Sequence, residues 1–316
     1  MLNKIALVLP YYGSLPGYFS LFLRSVEMNP DFDILFITDI DLTGVRLPAN
    51  VHPVRLSFED IRSRVASLIP VSFKLDTPYK LCDCKPLYGI LFEKELKGYD
   101  FWGHCDADML FGDLSHFITD GLLGSHDKLF THGHFVLYRN EPRINRLAIE
   151  YQEAPCGLEF AASSSLSCYL DEVGMAHIAK LAGIRVYEKP LFADITPKLD
   201  ALTLAPICEE KNYPGQRFFW NEGHVFRLAR GLAAPTEFMY IHLQKRRMEV
   251  CVDPAEPVWE ICRHAFYPEG SAPLKEPHSL RNRLEQEGGF QLSRLRRLSP
   301  ERVRLSLVIK ALRASL

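Results

Sequence analysis

The sequence predicts an α/β fold, a doubly wound and mostly parallel sheet flanked by helices. Three observations predict it. Residues 4–9 (KIALVL) and 33–38 (DILFIT) are short, nearly unbroken apolar runs, the pattern of strands buried on both faces. Between them Phe19, Phe22, Leu23 and Val26 recur at helical spacing. A strand, a helix and a second buried strand open a βαβ unit, whose strands lie parallel.

The elements follow in order. Pro10, Gly13, Pro16 and Gly17 break the chain after the first strand, and the helical spacing covers roughly 18–28. Asp39 ends the second strand. The variable stretch 40–80 holds an extended piece near 51–56 and a helix near 58–68. Lys85 and Pro86 open another helix, because proline fits a first turn and Leu87, Ile90 and Leu91 share a face; it ends near Gly98. Residues 99–105 (YDFWGHC) form the next strand, with Asp106-Ala107-Asp108 at its C-terminal end. Residues 127–139 read as a strand pair or hairpin, 169–182 as a helix, and 218–228 and 239–243 as later strands. The main domain is therefore expected over 1–266, a linker over 267–280, and a basic amphipathic helical tail over 281–316. Leu305, Val308, Ile309, Leu312 and Leu316 mark the tail's apolar stripe.

Composition narrows the function classes. With 316 residues, 47% hydrophobic and 24% charged, the chain is neither disordered nor fibrous and can bury a full core. Its net charge of −2 argues against a dedicated nucleic-acid binder. Residues 281–316 nevertheless carry nine basic against three acidic side chains, a net +6, so the remainder stands at −8. A basic tail on an acidic body suggests an anionic partner such as a membrane surface, or else a terminal helix packing its stripe on the domain. The eight cysteines include no C-x-x-C pair. The apolar run before Pro10 is too short for a signal peptide, and no stretch reaches about 18 apolar residues. The expectation is a reduced cytoplasmic protein, with a peripheral position on the cytoplasmic face of the inner membrane as the alternative that the basic tail suggests.

The strongest chemical signal is Asp106-x-Asp108. Two carboxylates at a strand end can hold Mg²⁺ or Mn²⁺ while leaving positions for phosphate oxygens. The chain has two other copies, Asp31-x-Asp33 and Asp39-x-Asp41. Position separates them, because Asp31 precedes a strand whereas Asp106 follows one, at the end where open sheets bind ligands. G-x-G-x-x-G, the P-loop signature and G-x-S-x-G are all missing from the sequence.

Strand–helix–strand followed by a D-x-D about a hundred residues in resembles the GT-A fold of nucleotide-sugar glycosyltransferases. The segments 79–93 (YKLCDCKPLYGILFE), 98–114 (GYDFWGHCDADMLFGDL), 133–140 (GHFVLYRN) and 240–246 (YIHLQKR) are similar to those of a bacterial glycosyltransferase-like family linked to surface-polysaccharide synthesis, over roughly residues 4–250. That resemblance implies a donor half (about 1–115) and an acceptor half (about 116–266). It implies that Asp108 binds the metal, that Asp106 assists or contacts ribose, and that His242 completes the metal sphere. Donor binding then falls to Pro10, Tyr11 and Tyr12 after strand one, Asp39 after strand two, and Lys80, Asp83 and Lys85 before a helix N-terminus that favours phosphate. Asp171 and Glu172 (YLDEVG) resemble the acidic position of inverting enzymes, the general base for the acceptor hydroxyl. His134 and Trp220 are candidates for the sugar or acceptor pocket. The implied reaction moves a sugar from a nucleotide-sugar, a UDP-sugar foremost, to a surface polysaccharide or lipid-linked oligosaccharide with Mn²⁺ or Mg²⁺. A sugar nucleotidyltransferase and a non-catalytic glycan- or nucleotide-binding protein of the same fold are the alternatives.

Overall fold

Alternation concealed within the apolar strands explains the architecture. The computed structural model describes residues 2–244, 246–272 and 300–316. Strand β1 (Ile5–Pro10) sends Ile5, Leu7 and Leu9 into one core and Ala6 and Val8 into another. Strand β2 (Phe32–Thr38) divides likewise, Phe32, Ile34 and Phe36 to the first face and Leu35 and Ile37 to the second. Successive side chains leave a strand on opposite faces, so strands apolar at both sets must be covered on both sides. Helix α1 (Phe19–Glu27) covers the first face with Phe19, Phe22 and Val26. Helix α2 (Phe58–Leu68) covers the second with Ile61 and Val65. A capping box starts α2: Asp60 N donates to Ser57 Oγ (3.1 Å) and Ser57 N donates to Asp60 Oδ2 (2.7 Å).

Strands β3 (Val51–Arg55), β4 (Phe101–Cys105), β5 (Met109–Phe111), β6 (Lys128–Leu129), β7 (Phe135–Arg139) and β8 (Val186–Tyr187) follow. The central sheet has seven strands in the order β3-β2-β1-β4-β7-β6-β8. β3, β2, β1 and β4 run parallel, β7 runs against β4 and β6, and β8 runs with β6. The protein is thus a mixed α/β structure with a mostly parallel central sheet between helices. Gly103 sits in β4 because a Cβ there would collide with the Val136 carbonyl of β7. The chain leaves β1 for β2 and β3 on one side and returns to β4 on the other. The crevice at the C-terminal ends of β1 and β4 is therefore a topological switch point, where open sheets bind ligands.

The later strands are β9 (Ala193–Asp194), β10 (Arg217–Asn221), β11 (His224–Leu228), β12 (Thr236–Phe238), β13 (Tyr240–His242), β14 (Glu249–Val250), β15 (Val258–Ile261) and β16 (Ala265–Pro268). Six of them form a mostly antiparallel sheet, β12-β11-β10-β15-β16-β14. The run 218–228 is split into the β10–β11 hairpin by Glu222 and Gly223, both at positive φ (46° and 89°). Trp220 belongs to this sheet's core. It is fully buried, stacks on Trp259 at 4.0 Å and donates to Phe111 O (2.9 Å). A third sheet, β5-β13-β9, joins the two halves of the chain.

The helix predicted to open at Lys85 does not form. A 3₁₀ helix (Pro78–Leu87) runs through that point with Pro86 inside it, followed by one α-turn (Tyr88–Leu91). So long a 3₁₀ run needs outside support, and Lys80 and Asp83 supply it. Lys80 Nζ donates to Asp83 Oδ2 (2.7 Å), Ala161 O (2.8 Å) and Leu166 O (2.6 Å). Asp83 accepts from Cys168 N (2.7 Å) and Leu170 N (3.1 Å). Both side chains are wholly buried, so these two expected donor contacts instead staple the 3₁₀ helix to residues 161–170.

The segment expected as linker begins inside β16; residues 273–299 lie outside the described residues. A C-terminal helix (Pro300–Ala314) packs Leu305, Ile309 and Leu312 against Phe160, Cys156 and Val173. Val308 and Leu316, expected in the same stripe, are exposed at 38% and 47%. Among the described residues no helix is long and apolar enough to cross a membrane. Breaking a buried ion pair leaves an uncompensated charge, so Lys80→Met is expected to lose about 3–5 kcal/mol in urea unfolding while ligand binding by the folded fraction is unchanged.

Candidate active site

The switch-point crevice is built from three strand ends. After β1, Tyr11 N donates to Ile37 O (2.9 Å) and Thr38 Oγ1 donates to Tyr11 O (2.6 Å), which ties the ends of β1 and β2 together. Tyr12 turns its ring edge-on to Phe58 of α2 at 5.7 Å. After β4, Asp106 N donates to His134 O (3.1 Å), and Lys85 Nζ donates to Asp106 Oδ1 (2.7 Å) and to Gly133 O.

The chain then reverses into β5, which pairs antiparallel with β13 so that Met109 faces His242. β13 also pairs parallel with β9, which places Asp194 beside His242. Backbone register alone therefore brings Asp108, His242 and Asp194 together. His242 Nε2 lies 3.3 Å from Asp108 Oδ1 and Nδ1 lies 2.8 Å from Asp194 Oδ1. Gln244 Nε2 holds the other Asp194 oxygen at 2.6 Å. Burial opposes a charge on His242, but Asp108 and Asp194 outweigh it and push the imidazole pKa up to about 10.

The donor set fits a divalent cation. Ligand atoms of Asp106, Asp108 and His242 lie within 4.8 Å of one another. Two carboxylates and one imidazole are ligand types that a divalent cation accepts. Asp194 on Nδ1 is the contact that would orient a metal-binding histidine, and an ion at Nε2 would take the place of the proton that Asp108 attracts there. His134, Asp194 and His242 form a second, fully buried group of the same kind. His134 Nδ1 meets the Tyr240 hydroxyl at 2.8 Å, and its ring stands 4.6 Å from that of His242. Its Nε2 is buried with no hydrogen-bond partner among the described residues, and burial holds its pKa well below the usual imidazole range.

Pro10, Tyr11, Tyr12, Lys85, Asp106, Asp108, His134, Asp171, Glu172 and His242 all line one cleft of 1620 Å³. Asp171 and Glu172 open a short π-helical turn (Leu170–Gly174) on the wall facing Lys85. Gly133 makes room for them, because a Cβ there would strike the Asp171 carboxylate. Burial pushes the Asp171 carboxyl well above the usual range, Lys85 opposes the shift, and the Glu172 carboxylate adds to it. Lys85 stays charged: burial lowers its pKa, and the Asp106 and Asp171 carboxylates more than compensate.

Four predicted residues stand apart from the cleft. Lys80 and Asp83 are the structural pair described above, and Trp220 is in the core of the antiparallel sheet. Asp39 is exposed past the end of β2 and does not line the cleft. Sequence reasoning missed Asp194, Gln244, Arg247 and the left-handed Tyr169. Asp194, in LFADITP, belongs to no spaced motif, and only the β9–β13 pairing reveals it. YIHLQKR did carry a signal for Gln244, two residues past the candidate ligand.

Fold and site together define a mixed α/β protein with a carboxylate–imidazole centre at its switch point. Residues 7–269 match a family model described as a family of unknown function (DUF6625), and the chain belongs to that family. No curated protein matches it. Among solved structures it is similar to an active-site mutant of LgtC (12% identity, 61% of this chain and 75% of that one, TM-score 0.37). It is also similar to the galactosyltransferase LgtC with donor and acceptor sugar analogues (11%, 61% and 76%, TM-score 0.35). A third is the glycosyltransferase GlyE of Streptococcus pneumoniae TIGR4 (14%, 57% and 49%, TM-score 0.29).

Asp194→Ala removes the carboxylate that orients His242 and is expected to weaken Mn²⁺ binding by about 10–100-fold in titration calorimetry. Asp108→Ala is expected to abolish it. Full Mn²⁺ affinity in Asp194→Ala would show that Asp194 does not orient a ligand, and full affinity in His242→Ala would remove His242 from the set.

Proposed function

We propose that the protein is a metal-dependent GT-A-type glycosyltransferase. It moves a sugar from a nucleotide-sugar, UDP-linked, to a hydroxyl of a bacterial surface polysaccharide or lipid-linked oligosaccharide, working at the cytoplasmic face of the inner membrane. The observation that carries this reading is the Asp106–Asp108–His242 set at the switch-point crevice, in one cleft with the buried Asp171 carboxylate. A bound Mn²⁺ or Mg²⁺ supplies positive charge for the departing nucleoside diphosphate.

The chain's own residues do the rest. Tyr11 and Tyr12 present aromatic rings at the end of β1 for the base. Lys85, committed to Asp106 and the Gly133 carbonyl, holds the D-x-D carboxylate in place and adds a fixed positive charge near the diphosphate. Arg247 lines the same cleft and is exposed. Its neighbour Arg246 is buried and anchors that turn by donating to Asp200 O (2.7 Å) and Leu199 O (2.8 Å). In an inverting transfer the acceptor oxygen bonds to the anomeric carbon, the bond from that carbon to the diphosphate oxygen breaks, and the hydroxyl proton passes to a carboxylate. Asp171 suits that role by position, since it lines the cleft beside Gly133 and within the field of Lys85.

Thermal shift with a panel of nucleoside diphosphates tests the donor site. A Mn²⁺-dependent rise in Tm with UDP, lost in Asp108→Ala, is expected. Asp171→Asn is expected to keep that rise and to lose on the order of 10²–10⁴ in turnover. Nucleotide binding without sugar transfer would favour the binding-protein alternative, and formation of a nucleotide-sugar from a sugar phosphate the nucleotidyltransferase. No binding of any nucleotide by folded protein would sink the reading.

A further inference from the structure

The C-terminal helix reaches the same cleft as the metal ligands. Leu305, Ser306, Leu307, Ile309, Lys310 and Arg313 all line it. The helix is seated there by several independent contacts. Ile309 is buried against Cys156 and Val173. His177 Nε2 lies 3.2 Å from Leu312 O and Lys180 Nζ donates to Leu316 O at 3.3 Å, so both side chains meet the helix's carbonyl end. Arg313 Nη2 donates to Glu172 Oε2 at 2.7 Å, and its guanidinium lies 5.2 Å from the centre of the Tyr169 ring. The other Glu172 oxygen, Oε1, accepts from Gly133 N at 3.3 Å. Glu172 is thus held at both oxygens. Tyr169 has φ 59°, a left-handed conformation uncommon for a bulky side chain, and it puts the ring under Arg313 immediately before the turn that carries Asp171 and Glu172.

Resting on the glycosyltransferase reading, we propose that the C-terminal helix is the acceptor-side wall of the cleft and that Arg313 is a positioning residue acting through Glu172. The two walls differ in chemistry. The donor wall holds Asp106, Asp108, His242 and Lys85. Beside the C-terminal helix the cleft exposes Tyr169 (43%) and Leu307 (63%) next to Lys310 and Arg313, and the ring and the leucine fit the apolar face of a sugar ring. The walls differ in family coverage too. Residues 7–269 match the family and contain the metal-ligand candidates found among the described residues, whereas the helix lies outside that match.

The test uses the full chain, with initial rates measured against donor and acceptor separately. A charge-assisted hydrogen bond lost at Glu172 predicts that Arg313→Ala raises the acceptor KM about tenfold and the donor KM less than about twofold. Arg313→Lys restores part of the loss. Leu307→Asp, at an exposed position that the helix does not use for packing, also raises the acceptor KM while UDP affinity with Mn²⁺ in calorimetry stays at the wild-type value. An unchanged acceptor KM in both variants, or faster transfer in either, overturns the proposal while the glycosyltransferase reading stands. A wild-type protein that binds UDP and transfers to no acceptor overturns both.

Discussion

The register of the smallest sheet governs the candidate site. β13 carries Ile241 opposite Leu110 of β5 and beside Ala193 of β9, and all three are fully buried. A slip of one residue would turn Ile241 toward the cleft and His242 into the core, exchanging apolar burial for a buried imidazole. The core therefore holds the ligand register. Asp108 stands just before β5, His242 closes β13 and Asp194 closes β9, so a packing constraint becomes a chemical one. The same register makes His242 a bridge between one carboxylate that faces the cleft and one that does not.

Charge burial sorts the residues that sequence alone groups together. Lys80, Asp83 and Lys85 lie within six positions and read as one phosphate-binding cluster. The Lys80 ammonium, with no solvent contact, is matched by a carboxylate and two carbonyls, and such a group is satisfied and structural. Lys85 spends its bonds on Asp106 and a carbonyl at the cleft, so its charge acts on the site through the D-x-D carboxylate. Periodicity could not show this, because the 3₁₀ geometry that turns Lys80 inward and Lys85 toward the cleft has no apolar period of its own. The buried strands β1 and β2, the capped helix α2 and the position of Asp106 after β4 were legible, since each rests on local pattern or on strand order. Of three D-x-D copies, position picked the one at the crevice. Asp194 was not legible: its role comes from pairing between strands 48 residues apart.

The tail's charge finds part of its partner within the chain. An acidic body with a basic C-terminal segment suggested an external anion, and Arg313 instead meets Glu172. That pair alone leaves most of the net +6 uncompensated, much of it on arginines between 281 and 297. Val308 of the apolar stripe is exposed on the same helix, and Leu316 is exposed just beyond its end. A helix that packs one face on the domain while presenting a basic, partly apolar other face can hold a cleft wall and meet an anionic surface together, so the two readings of the tail are compatible.

Sugar transfer also demands that water be kept from the anomeric carbon while a hydroxyl is admitted. The donor wall cannot do this alone, because its carboxylates, imidazole and lysine are all groups that hold water. The opposite wall brings Leu305, Leu307, Ile309 and the Tyr169 ring to the cleft. That wall sets apolar side chains among Lys310 and Arg313 and beside the Asp171 and Glu172 carboxylates, so apolar and proton-accepting groups meet at one place in the cleft.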